Sequence, residues 1–175
     1  MAGFDDYFTL FGLPRRFGLD LAKLESAFLD VQGKVHPDRF ARLAENERRI
    51  AVQWAAHANE AYRNLRRPIP RARYLLELAG RDPAIESNTA MPAAFLMRQM
   101  TLREAVEEAR DAADVDELDT LLNEIRSECR VLEARLGDEH DVRADYDAVI
   151  GTLRQLMFLE KLLEEIGSAL ESLES

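Results

Sequence analysis

Residues 21–40, with the sequence LAKLESAFLDVQGKVHPDRF, determine how the amino-terminal half of this chain folds. Their apolar side chains recur with the 3.6-residue period of an amphipathic helix, at Leu21, Leu24, Phe28, Val31 and Val35. Asp20 is suited to cap the first turn of this helix. The helix must end near His36, because the ring of Pro37 disfavours helical geometry in the residue before it. The sequence therefore predicts a helix that ends in a stiff turn at His36, Pro37 and Asp38.

A second long helix is predicted after this turn, and it ends before Pro68 and Pro70. Its apolar positions are Phe40, Leu43, Ile50, Trp54, Ala58, Ala61 and Leu65. A short further helix is predicted around the string RARYLL at 71–76. The amino-terminal region thus contains an antiparallel helical hairpin with a His-Pro-Asp loop.

The carboxy-terminal region is predicted to be a second helical domain. Gly80, Pro83, Asn88 and Pro92 interrupt the helical pattern, which predicts a domain at 1–80, a linker at 81–91 and a domain at 92–175. The expected helices of the second domain are 92–113, 115–136 and 141–173, with Gly137-Asp138 between the last two. One apolar seam contains Leu118, Leu122, Ile125, Cys129, Leu132 and Leu136. The other contains Val142, Tyr146, Val149, Leu153, Leu156, Leu163, Ile166 and Leu170. Both repeat near 3.5 residues, so the fold class is all-α with a carboxy-terminal three-helix bundle.

The first bundle helix has apolar residues on two faces. Its core stripe is Phe95, Leu102, Ala105, Val106 and Ala109. At 100° per residue, Leu96, Met97 and Met100 point away from this stripe, and Phe158 of the last helix also lies off its seam. Clustered exposed apolar residues commonly mark a binding surface. The alternative is that they cover the first domain at an internal interface.

This order of a helix, a His-Pro-Asp loop and a second helix resembles the J-domain family. Its members are the co-chaperones that activate the ATPase of 70-kDa heat-shock chaperones. The supporting strings are DYFTLFGLP at 6–14, NEAY at 59–62 and RARYLL at 71–76. With AFLMRQMTLRE at 94–104, the whole chain resembles the co-chaperones of bacterial iron-sulfur cluster assembly, of the HscB type. The resemblance implies that the chain is not itself an enzyme and has no cofactor.

The resemblance also implies two sets of partner-binding residues. The expected contacts with an HscA-type chaperone are Lys34, His36, Pro37, Asp38 and Arg39. The expected contacts with an IscU-type iron-sulfur scaffold are Leu96, Met97, Met100, Thr101, Glu104, Glu108 and Phe158. Thr101 departs from the acidic residue expected there. Two alternatives stay open: a J-domain protein that serves another client, and a structural adaptor in which Asp38 only caps the next helix.

Composition excludes several other classes of function. Residues 1–80 carry a net charge of +3 and residues 81–175 a net charge of −13, which argues against nucleic-acid binding. No apolar run approaches the roughly 20 residues of a membrane span, and no signal peptide is evident, so we expect a cytoplasmic protein.

A metal site and a nucleophilic site are not expected either. The single cysteine, Cys129, lies in a predicted core seam, and no Glu-x-x-His pair is present for a di-iron bundle. Besides His36, the chain has two histidines: we expect His57 at a helix surface or boundary and His140 at the start of a helix.

Overall fold

The computed structural model describes residues 6–35, 45–82 and 92–173, and these parts of the chain contain helices joined by turns and short irregular segments. Contacts divide the chain into two compact units, Met1–Gly80 and Arg81–Ser175. The helices of the first unit are α1 Tyr7–Leu10, α2 Leu21–Val35, α3 Glu45–Arg66 and α4 Pro68–Leu78. Those of the second are α5 Ala93–Asp111, α6 Val115–Asp141 and α7 Tyr146–Leu173.

The helices α2 and α3 form the predicted antiparallel hairpin. The Asp20 carboxylate accepts hydrogen bonds from the backbone N–H groups of Ala22 and Lys23, which confirms it as the cap of α2. The rings of Phe28 and Tyr62 stack with their centroids 4.1 Å apart. One turn further along α2, the Gln32 side-chain amide donates to the Asn59 side-chain oxygen over 3.1 Å. The residue numbers of the contacting side chains rise along α2 and fall along α3, so the two helices are antiparallel.

The short helices α1 and α4 close the first unit around aromatic side chains. Phe8 of α1 is fully buried. The backbone N–H of Tyr7 donates to the Tyr74 hydroxyl over 3.0 Å, and the two phenol rings stack at 4.1 Å. Burial raises the pKa of Tyr7 to about 12, helped by the charge of Glu60 and a hydrogen bond to it. Burial also raises the pKa of Tyr74, so both phenols act here as neutral hydrogen-bonding and packing groups.

In the second unit, α5, α6 and α7 form a three-helix bundle, as predicted. The buried residues of α5 are Phe95, Leu102, Val106 and Ala109. Those of α6 are Leu118, Leu121, Ile125, Cys129, Leu132, Leu136 and Glu139. Those of α7 are Val149, Thr152, Leu153, Leu156, Leu159, Leu162, Ile166 and Ala169. The predicted core stripes are therefore correct in most positions, whereas Leu159 and Leu162, not Leu163 and Leu170, are fully buried in the second half of α7.

The boundary between α6 and α7 lies later than predicted. The helix α6 continues through Gly137 because Leu136 and Glu139 are both fully buried, and Arg135 pairs with Glu139 over 2.7 Å. A glycine inside a helix costs only about 1 kcal/mol relative to alanine, which this packing outweighs. The turn instead includes Ala144 with φ of 51°, and the Asp145 carboxylate caps the next helix at the Ala148 N–H.

This shift changes the environment of two residues. His140 lies in the last turn of α6, not at the start of a helix, and its Nδ1 is 2.8 Å from Oδ1 of Asp141. Val142 lies in the turn, where 75% of it is exposed, so its predicted place in the apolar seam is wrong. The exposure of Leu21 and Ile50 in the first unit likewise departs from the predicted apolar stripes.

Candidate functional site

Two candidate sites were predicted, and the structure describes one of them. His36, Pro37, Asp38 and Arg39 lie outside the described residues. Lys34 is described, and it is an exposed residue in the last turn of α2. It therefore projects from the hairpin helix just ahead of the His-Pro-Asp tripeptide.

The second candidate site lies on the outer face of α5, and we call it the α5 surface. Its residues are Leu96, Met97, Met100, Thr101, Glu104 and Glu108. The exposed fractions of Leu96, Met97 and Met100 are 43%, 71% and 63%. Clustered exposed apolar side chains commonly mark a binding surface, and the thioether side chain of methionine adapts its shape to a partner. The structure thus places an apolar strip where the sequence predicted one.

Polar side chains border this strip along the helix. The Thr101 hydroxyl donates to the backbone carbonyl of Met97 over 3.2 Å, so it is satisfied within its own helix. Glu104 and Glu108 are exposed, and neither makes an ion pair with the described part of the chain. An apolar strip with two available carboxylates at one end suits a partner surface that combines apolar and basic groups.

Phe158 is the one predicted site residue on another helix, and its environment differs from the expectation. It lies off the α7 seam but is half-buried rather than exposed. Its ring meets the ring of Phe95 edge-on, with centroids 6.1 Å apart. The Arg103 guanidinium lies over the Phe158 ring, 5.6 Å from its centroid. Phe158 thus packs against α5 beside the α5 surface, on the flank of α5 that faces α7.

Two arginines of α5, which sequence reasoning missed, connect it to its neighbours on opposite flanks. Arg98 forms ion pairs with Glu124 and Glu128 of α6, the second at 3.9 Å. Arg103 approaches Glu165 of α7 at 3.7 Å while covering Phe158. Helical spacing could have placed the two arginines on opposite flanks, but it could not identify their partners on α6 and α7.

Other chemistry is not evident in the parts of the chain that the structure describes. Burial raises the pKa of the Cys129 thiol to about 11, and the nearby Glu133, Glu160 and Glu128 charges act in the same direction. The thiol therefore stays protonated and unreactive at neutral pH. Within the described ranges, no cluster of three or more potential ligands could hold a metal ion. None of the described helices has both the length and the apolar character needed to cross a bilayer.

Comparisons with known proteins agree on one family. The family profile described as "HSCB C-terminal oligomerisation domain" matches residues 91–167. A curated relative from Azoarcus sp. (strain BH72), called "Co-chaperone protein HscB homolog", is 55% identical over 97% of this chain and 96% of its own length. A protein of the same name from Cupriavidus taiwanensis is 53% identical over 97% and 96% of the two chains.

Solved structures give the same result. "Chaperone HscB from Vibrio cholerae" superimposes with a TM-score of 0.84 and 36% identity, covering 97% of this chain and 99% of the other. The "Crystal structure of human co-chaperone protein HscB" shares the fold, with a TM-score of 0.87 at 24% identity over 96% of this chain and 83% of the other. The sequence identity to the curated relatives, which extends over nearly the full length of both chains, shows that this chain belongs to the HscB family of co-chaperones.

Proposed function

We propose that this protein delivers an IscU-type iron-sulfur scaffold to an HscA-type 70-kDa chaperone and stimulates the ATPase of that chaperone. The observation that carries the proposal is the exposure of Leu96, Met97 and Met100 on one face of α5. Such a strip offers a docking surface for a client. Membership of the HscB family supports the assignment of that client as a scaffold protein. We place this protein and the scaffold in the cytoplasm.

In this proposal, separate parts of the chain bind the scaffold and the chaperone. The α5 surface and Phe158 bind the scaffold. Lys34, Arg39 and the tripeptide His36-Pro37-Asp38 bind the chaperone ATPase, with Asp38 accepting hydrogen bonds from a chaperone arginine. The co-chaperone performs no chemistry itself. It shifts the chaperone toward its hydrolysing conformation, so the catalytic groups belong to the partner.

Steady-state ATP turnover of an HscA-type chaperone tests the first half of the proposal. We expect stimulation by the wild-type protein and its loss in His36→Gln. Adding purified IscU-type scaffold should raise turnover further, since both ligands then favour the same chaperone state. Absence of stimulation in every combination would instead support a structural adaptor, and stimulation that the scaffold does not change would support a different client.

Scaffold binding, measured by calorimetry, tests the second half. Met97→Ala with Met100→Ala removes two exposed side chains and should weaken binding about 30-fold, the loss expected for about 2 kcal/mol of buried contact. Val131→Ala with Val142→Ala is the matched control, because these valines are 64% and 75% exposed but lie on α6 and in the α6–α7 turn. Equal affinities for the two double variants would reject the α5 surface as the docking site.

A further inference from the structure

We infer that the scaffold-docking surface extends beyond the α5 surface into a groove between α5 and α7. The inference rests on the proposed function and adds a second part to its binding site. The groove has a volume of about 480 Å³. Its walls are formed by residues in the carboxy-terminal halves of both helices, namely Arg103, Glu107, Arg110, Lys161, Glu164 and Ser168.

The size of the α5 surface gives the first reason. With Phe158, the predicted contact set has seven members. A stable protein interface contains roughly 20–30 residues on each side. An apolar core of this kind is normally surrounded by a polar rim that also contacts the partner. The docking surface must therefore continue onto neighbouring side chains, and the structure decides in which direction.

The α6 side of the strip is closed by ion pairs. Arg98 of α5 bridges to Glu124 and Glu128 of α6, so the charged groups on that flank already have partners within the bundle. A partner that docked there would have to break these pairs.

The Arg103–Glu165 pair crosses the α7 side, but that side contains the groove, and the groove is continuous with the strip. Phe95 contacts Phe158, and Arg103, eight residues further along α5, contacts Glu165, seven residues further along α7, so the two helices run parallel. Arg103 therefore marks the junction, since it covers the Phe158 ring and also lines the groove. A partner segment that leaves the methionine strip past Phe158 enters the groove directly.

The lining of the groove suits a polar segment of the scaffold. Its floor contains the buried side chains of Val106 and Ala169, which limit its depth. Glu107, Lys161 and Glu164 make no ion pair with other described residues, so charges of both signs are available to a partner. The apolar strip then supplies the central contacts and the groove supplies the polar rim.

Filling the groove from an exposed position tests this inference. Ser168 lines the groove and is exposed, so Ser168→Trp obstructs the groove without entering the core. Ser127→Trp is the matched control, because Ser127 is an exposed serine on α6. We expect Ser168→Trp to weaken binding of purified IscU-type scaffold about tenfold or more and Ser127→Trp to leave it within about twofold.

The outcomes separate the inference from the proposed function. If the methionine double variant loses binding but Ser168→Trp binds like the wild type, the groove is rejected and the α5 surface stands. If the wild-type protein does not bind the scaffold, both fail.

A photo-crosslinking amino acid gives a second measurement that does not depend on the tolerance of the groove to tryptophan. p-Benzoylphenylalanine at position 168 should form a cross-link with the scaffold, whereas the same group at position 127 should not. Equal yields at the two positions would overturn the inference.

Discussion

The two units of the molecule are stabilised by different kinds of contact. The described core of the first unit includes Phe8, Phe11, Phe17 and a buried arginine, Arg71, whereas that of the bundle is mostly leucine, isoleucine and valine around a buried Glu139. Aromatic and arginine contacts are directional, so they fix the short helices α1 and α4 against the hairpin. Aliphatic packing depends mainly on filling volume, so the bundle tolerates approximate sequence patterns but not cavities.

The bundle should therefore show the larger loss when a core side chain is shortened. Leu156 is fully buried in α7, and Leu156→Ala should lower the free energy of unfolding by about 2–5 kcal/mol because it leaves a cavity. Urea unfolding followed by far-UV circular dichroism measures this change. The control Val131→Ala, at an exposed site on α6, should change stability by less than about 0.5 kcal/mol. A loss below about 1 kcal/mol for Leu156→Ala would show that the bundle core can collapse around the cavity.

Removing a directional contact should have a somewhat smaller effect in the first unit. Arg71 donates from Nη1 to the backbone carbonyl of Leu65 over 2.8 Å, near the end of α3, and its guanidinium lies 4.6 Å from the Phe17 ring centroid. Arg71→Met leaves that carbonyl without its donor. We expect a loss of about 2–3 kcal/mol, the sum of a buried unsatisfied acceptor and a cation–π contact.

Trp54 gives this prediction a local readout, because it is the single tryptophan of the chain and lies in α3. Its fluorescence during urea unfolding reports on the first unit. Arg63→Met, at an exposed position of α3, is the matched control and should be nearly neutral. If both variants unfold at the same urea concentration, Arg71 contributes nothing beyond its methylene groups.

A single charge at the start of α1 should have a smaller and pH-dependent effect. The Asp6 carboxylate accepts from the N–H groups of Phe8 and Thr9 and pairs with Arg15 at 2.7 Å. Burial raises the pKa of Asp6, but the Arg15 and Thr9 hydrogen bonds and the Arg15 charge outweigh it and lower the pKa to about 2. The ordinary value is 3.8, so the stabilisation is complete above about pH 4 and is lost as the pH falls through about 2.

Asp6→Asn isolates this charge, because asparagine is a comparable helix cap. At pH 7 the variant should be about 1 kcal/mol less stable than the wild type, a modest value because Arg15 is exposed to solvent. The difference should shrink as the pH falls from about 4 and disappear below about pH 2. Urea midpoints from Trp54 fluorescence at several pH values measure it, and a gap that did not depend on pH would exclude the charge as its cause.

The sequence predicted the helices well because helical periodicity and capping are local properties. The Asp20 cap, the end of α3 before Pro68 and the stripe of Phe95, Leu102, Val106 and Ala109 all follow from spacing along one helix. The turn between α6 and α7 was misplaced because Gly137 is a local signal that tertiary packing overrides. Burial of Leu136 and Glu139 keeps the helix intact past it.

In the candidate site, too, features that depend on one helix could be predicted and features that depend on a second helix could not. The exposure of Leu96, Met97 and Met100 could be predicted, since it depends only on their angle relative to the core stripe of α5. The partial burial of Phe158 could not, because it depends on Phe95 and Arg103 of another helix. The alternative interpretation, in which the strip covers the first domain, stays a prediction.

Replacing a helical glycine in each unit should give the smallest change in stability. The two substitutions test whether the units differ only in their cores. Gly33 in α2 and Gly167 in α7 are both helical, and an added Cβ would meet no atom within 4 Å at either position. Gly33→Ala and Gly167→Ala should each raise stability by about 0.5–1 kcal/mol, because alanine restricts the unfolded chain and favours the helix. Trp54 fluorescence follows the first variant, and far-UV circular dichroism follows the second. Equal gains would show that helix propensity acts alike in both units, whereas a gain at Gly167 alone would show that the hairpin needs a glycine close to its loop.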